Sequence, residues 1–183
     1  MLAVANCVVR ELQLIQRQRA ARLLDEPLFC ALAISPHYAP KRLLIGSAFV
    51  HRRRVEFRDT DAAGIAHFSV FFIWMEQAEH AMLRELGLGV MSEQDGATIG
   101  WPRVSATCDF RQPVAFEDEV EVHVSVSRLG EKSVTYRFEF RRDNARIANG
   151  SVTTVCCQLD ANQTWQAIPI PATFVEAFQR ILV

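Results

Sequence analysis

Apolar and polar residues alternate with period two along several stretches of the chain. Val104, Ala106, Cys108 and Phe110 are interleaved with Arg103, Ser105, Thr107 and Asp109. Val120, Val122, Val124 and Val126 alternate with Glu121, His123 and Ser125. Val134, Tyr136, Phe138 and Phe140 alternate with Thr135, Arg137 and Glu139. Residues two apart share one face of a strand, so these stretches predict strands with one buried face. A fourth long strand is expected over residues 147–159, and an earlier one over residues 51–58 around Val55 and Phe57. Residues 129–132 read as a hairpin turn. Asp143-Asn144 reads as a tight one, because both residue types tolerate positive φ.

One segment follows the other period. Phe71, Trp74, Met75, Ala78, Ala81 and Met82 recur at helical spacing across residues 70–86, with Ser69 as N-cap and Gly87 and Gly89 as the stop. Pro169 and Pro171 lead into a short helix expected over residues 172–182. The order is strand, long helix, then an antiparallel meander. One sheet face needs an apolar cover, and the long helix is the element able to supply it. The expected class is therefore α+β, with a long central helix across a curved antiparallel sheet.

Residues 1–48 look different. Residues 8–24 carry a helical pattern that Pro27 ends, and six of the chain's basic side chains against three acidic ones fall within the first fifty residues. The apolar start lacks a basic leader region. Residues 1–48 are expected to be an extension, helical or a non-native start, and residues 49–183 the functional domain.

Composition narrows the function. With 183 residues, half of them hydrophobic, the chain can bury one real core. A net charge of −1 argues against a dedicated nucleic-acid binder. No apolar run reaches the roughly 18 residues that span a bilayer, so no membrane partner is expected. Five Cys without close metal spacing point to reduced thiols and a cytoplasmic setting. No metal or cofactor site, nucleophile elbow, phosphate loop or dinucleotide fingerprint is present.

The stretch Val55-Glu56-Phe57-Arg58-Asp59-Thr60-Asp61-Ala62-Ala63-Gly64-Ile65-Ala66-His67-Phe68, with the long helix behind it, resembles the signature of hotdog-fold acyl-CoA thioesterases. The branch is that of 4-hydroxybenzoyl-CoA thioesterase and its YbgC-like relatives. The resemblance covers residues 51–159. It implies a hotdog fold, thioester hydrolysis of a short-chain or aromatic acyl-CoA, no cofactor, and a homodimer or homotetramer with sites between subunits. It also implies that Asp61 is the catalytic carboxylate and that the N–H of Phe68 polarises the carbonyl. Glu76 stands where many relatives keep a helical acid. Two positions depart from the pattern: Glu79, where relatives carry Arg, and Phe68, where a YbgC-type His would stand.

Thioester hydrolysis needs a carboxylate and donors for the developing oxyanion, and the free N–H groups of a helix start can serve as such donors. The residues alone leave Asp61 as either this carboxylate or an Asx-turn residue. Gly64 provides the tight turn. His67 either orients water and lines the acyl pocket or is a structural loop His. Glu76 is either a second acid or one half of a solvated i, i+4 pair with His80. Phe68, Phe71, Phe72 and Trp74 are expected around the acyl group, some as core. Arg128, Lys132 and Ser133 are expected to hold the coenzyme A phosphates, although two cations at a hairpin tip are also ordinary surface residues. Two other functions remain: an acyl-CoA binding or sensing module without turnover, and a hydratase. The second expects a different His-plus-acid entry to the helix, which is not found.

Overall fold

The computed structural model describes residues 44–45, 48–94, 96–160 and 163–183, all within one compact unit, Arg42–Val183. The helix expected over residues 8–24, together with Cys7 and Cys30, lies outside the described residues. Six strands form one antiparallel sheet: β1 (Leu44–Ile45), β2 (Ala48–Arg54), β5 (Arg103–Phe110), β6 (Glu119–Leu129), β7 (Ser133–Arg142) and β8 (Ala145–Val155). Their spatial order is β1-β2-β6-β7-β8-β5. Thus β1 and the first residue of β2 precede residue 49.

The long helix α1 (Val70–Glu85) packs on this sheet. Phe71 meets Phe140 at 5.2 Å between ring centroids, and Trp74 meets the same ring at 6.4 Å. Met75 crosses β8 at Gly150, where a Cβ would come within 2.2 Å of the Met75 Sδ. Only a residue without a side chain permits that approach. Val120, Val122, Val124 and Val126 of β6 and Val134, Tyr136, Phe138 and Phe140 of β7 are buried in the same cluster. Each such side chain contributes roughly 1.5–3 kcal/mol by leaving water. The β7–β8 turn uses Asp143 and Asn144 at φ 49° and 65°.

Several expectations change in detail. The first strand ends at Arg54 and a 3-10 turn follows at Phe57–Asp59. Val55 leaves the β2 ladder and exchanges backbone hydrogen bonds with Glu117 and Asp118 instead. The strand expected over residues 147–159 breaks at Cys156, whose N–H donates to the Lys132 carbonyl and whose carbonyl accepts from Ile168. Beyond it, β9 (Cys157–Leu159) joins a second sheet with β3 (Ser92–Gln94), β4 (Ala97–Gly100) and β10 (Trp165–Ala167), in the order β10-β9-β4-β3. The terminal helix α2 is shorter than expected, Ala172–Gln179. Finally, β5 is an edge strand and is mostly solvent-facing: Val104 is 62% and Phe110 48% exposed.

Candidate active site

The segment between β2 and α1 is held by its own backbone. The Asp61 N–H donates to the Ile65 carbonyl, and the Gly64 N–H donates to the Asp61 carbonyl, both at 2.9 Å. Gly64 sits at φ +75°, a conformation that costs other residues. The Ala63 N–H donates to Asp61 Oδ1 at 2.8 Å, forming the Asx turn. Asp61 is exposed, with Oδ1 engaged in this way. The Asx-turn reading of Asp61 is the one observed: the turn fixes one carboxylate oxygen and so orients the other.

The base of the loop is clamped from below. Asp59 is 7% exposed, and its Oδ2 accepts from Arg53 at 2.8 Å and from the Glu56 N–H at 3.0 Å. Arg53 also donates to Gln77 of α1 at 2.7 Å and lies 4.3 Å over the Trp74 ring. The Asp59 carbonyl in turn accepts the His67 N–H at 2.8 Å.

That last bond separates the two expected oxyanion donors. The His67 amide is occupied by protein. The Phe68 amide has no acceptor among the described residues, and it lies two residues before α1 begins. A free donor at the positive end of a helix is suited to developing negative charge. Ser69 occupies the N-cap position, but its hydroxyl pairs with His67 Nδ1 at 2.8 Å rather than capping the helix. His67 is thus held by Ser69 and lies 4.5 Å from the Phe68 ring, tilted 42° to it. Phe68 itself is 60% exposed, whereas Phe71 and Trp74 are core residues at 3% and 0%.

Two turns into α1 lies a charged cluster. Arg103, from the start of β5, reaches Glu76 at 3.1 Å and Glu79 at 3.0 Å. His80 Nε2 is 4.0 Å from Glu76 and 3.5 Å from Arg103. Glu79 is 1% exposed, and burial pushes its carboxyl up to about 7 against the pull of Arg103. Burial also lowers the His80 imidazole. From sequence Glu79 stands out only as a departure from the family pattern, and Arg103 only as a polar position of a strand. The available signal was Glu79's position in the apolar stripe of Met75 and Met82, spaced i+4 and i+3.

The residues expected to hold coenzyme A are not brought to this loop within one chain. Arg128, Lys132 and Ser133 surround the β6–β7 hairpin, while the Asp61 loop bonds to Val114, Glu117 and Asp118 ahead of β6. The 11 residues of β6 separate the two ends, at about 3.3 Å per residue. A cleft on the sheet is lined by Arg52, Arg53, Arg54, Glu119, Glu121 and Asn144 among others, and takes in none of Asp61, Phe68 or Glu76.

The family model of the thioesterase-like superfamily matches residues 55–178, which spans the loop, the helix and both sheets' later strands. The chain belongs to the thioesterase-like superfamily. It is 30% identical over 118 residues to a 1,4-dihydroxy-2-naphthoyl-CoA hydrolase of Parasynechococcus marenigrum, covering 61% of this chain and 78% of that one. It is 34% identical to a gentisyl-coenzyme A thioesterase of solved structure, with a TM-score of 0.59 over 71% of this chain and 98% of that one. A solved 4-hydroxybenzoyl CoA thioesterase, 20% identical, shares the fold at a TM-score of 0.64 over 73% and 99% of the two chains. The α+β class and the thioesterase assignment thus follow from membership, and among the described residues no helix is long and apolar enough to cross a membrane.

Proposed function

We propose that the protein hydrolyses the thioester of an aromatic or short-chain acyl-CoA to the free acid and CoA, on a hotdog fold whose long helix is wrapped by the six-stranded sheet. The observation that carries this is the unoccupied Phe68 amide at the helix start, in the same loop whose turn orients the carboxylate of Asp61. The thioester oxygen accepts from the Phe68 N–H, which stabilises the charge that develops there. Asp61 then acts in one of two ways. As nucleophile it attacks the carbonyl carbon, CoA leaves as thiolate, and water hydrolyses the acyl-aspartyl anhydride. As general base it takes a proton from the water that attacks directly. Gly64 shapes the turn, His67 lines its mouth, and Glu76 supplies a second acid along the helix. Exposed Phe68 meets the acyl group, with Phe71 and Trp74 packed behind it. The 1,4-dihydroxy-2-naphthoyl-CoA hydrolase and the gentisyl-coenzyme A thioesterase, each at least 30% identical, support the aromatic arm of the reading.

The test is thiol release from a panel of aliphatic, aromatic and hydroxylated acyl-CoA thioesters. Turnover of an aromatic member with kcat/KM of roughly 10⁴ M⁻¹s⁻¹ or more is expected. Binding without thiol release from any member would replace this reading with a sensing module.

The assembly is part of the proposal. Arg128, Lys132 and Ser133 reach the phosphates at an Asp61 site only if a second copy delivers its hairpin. The exposed apolar side chains Val104 and Phe110 on the β5 edge, and the exposed Phe57–Phe116 pair, offer surface for that copy. Light scattering is expected to give the mass of two or four chains; the mass of one chain would remove the hairpin from the site. Free, buried Cys156 and Cys157 support a reducing, cytoplasmic setting.

A further inference from the structure

The charged cluster between α1 and β5 has a feature that strand alternation does not produce. Phe110 of β5 contacts Phe71 of α1, with centroids 5.0 Å apart, so simple alternation from Phe110 would put the odd-numbered side chains of β5 on the face away from the helix. Arg103 is odd-numbered, yet it also reaches the helix, at Glu76 and Glu79. The register explains this. Arg103 pairs with Thr154 and Ser105 with Thr153, leaving Val104 as one extra residue on β5. A bulge of this kind turns the preceding side chain to the opposite face. The ladder is thus interrupted next to Arg103, whose guanidinium bridges two helical carboxyls.

We propose that Arg103 is a positioning residue for the helical acid Glu76, anchored at that post by the buried carboxyl of Glu79. The proposal rests on the thioesterase reading above, in which Glu76 lines the acyl site. The geometry divides the tasks. Glu79 has a side chain 2% exposed and lies inside the fold, while Glu76 is 48% exposed at its mouth. One guanidinium nitrogen of Arg103 serves both, so a fixed buried partner holds the cation against a half-exposed one. A lone surface pair would be loosely held and weak. The charged and titratable groups around Glu79 are Arg103 from β5, Glu76 and His80 from its own helix, and Tyr136 from β7. His80 also feels Arg84. When Glu79 carries a proton, the charge of Arg103 is left to Glu76. When Glu79 ionises, the two carboxylates share it.

Two measurements test this. The first is a mutant cycle on thiol release with R103M, E76Q and the double variant. R103M is expected to lower kcat about tenfold in the wild-type background and less than about twofold beside E76Q, because its effect passes through Glu76. R103K is expected to restore part of the loss. Equal losses in both backgrounds would overturn the proposal. Should R103M fail to fold, E79Q carries the same test: a kcat profile recorded between about pH 5.5 and 9 is expected to lose its inflection near neutrality, and an inflection that persists would overturn it. The second measurement follows the carboxyl carbon resonance of Glu79. Its midpoint near 7 is expected to move upward in R103M, since burial is then unopposed. An unmoved midpoint would overturn the anchor. This readout needs no turnover, so a chain inert towards every acyl-CoA would strike the functional reading and leave the Arg103–Glu79 anchor to be decided by its own titration.

Discussion

Asp61→Asn is expected to lower kcat by about 10³-fold or more while leaving the fold intact. Asparagine keeps a side-chain oxygen where Oδ1 accepts the Ala63 N–H, so the turn survives. Asp61 is exposed and belongs to no ion pair among the described residues, so its neutralisation removes little stability. What disappears is the nucleophile or base. With the Phe68 amide still free, ground-state binding persists, and the loss falls on kcat rather than KM. Single-turnover thiol release beside a thermal melt checks both halves. A variant that keeps its turnover would show that Asp61 is only a turn residue, and the carboxylate would have to be sought at Glu76.

Much of this site was legible from sequence for one physical reason: its parts are contiguous. Asp61, Gly64 and Phe68 lie within eight residues, and a turn followed by a helix start fixes their relation locally. The central strands were legible for another. Val120 to Val126 and Val134 to Phe140 lie in the middle of the sheet, where alternation maps directly onto burial. The same pattern misled on β5. Its apolar side chains alternate as cleanly as those of β6, yet the strand lies at an edge where helix cover runs out. The small second sheet was missed because three residues, as in Ser92–Gln94 or Trp165–Ala167, are too few to show a period.

The remaining gaps concern distance through space. The cations expected to meet coenzyme A follow from the charge of its phosphates and from the family resemblance, neither of which measures distance, and β6 separates them from Asp61 within one chain. Whether Phe71 and Trp74 line a pocket or fill the core depends on which side of α1 meets the sheet, and aromatic residues suit both. Arg103 was read as an outward-facing strand residue because one inserted position is invisible in a pattern of period two.

Arg53→Met is expected to destabilise the folded chain by about 3–5 kcal/mol, the cost of stranding a buried carboxylate. The Arg53 and Asp59 side chains are only 12% and 10% exposed, unlike the surface pair Arg52–Glu121 at 63% and 30%. Removing that surface pair is worth about 1 kcal/mol or less. Arg53 does three things at once: it neutralises Asp59, donates to Gln77, and stacks on Trp74. Methionine fills the volume over the indole but answers neither polar partner. Asp59 would retain the Glu56 N–H alone. Denaturant unfolding at fixed protein concentration should show a lower midpoint with an unchanged slope. A second variant separates charge from packing. Arg53→Met with Asp59→Leu removes both ions and should recover a large part of the loss, as replacing a buried pair by apolar residues generally does. The consequence reaches the candidate site because the Asp59 carbonyl holds the His67 N–H, one residue before the unoccupied Phe68 amide. The single variant should therefore also raise KM, through a less fixed loop, even where it is fully folded. A midpoint within about 1 kcal/mol of the parent would mean that the loop is held by its backbone bonds alone, and that the clamp beneath it is incidental.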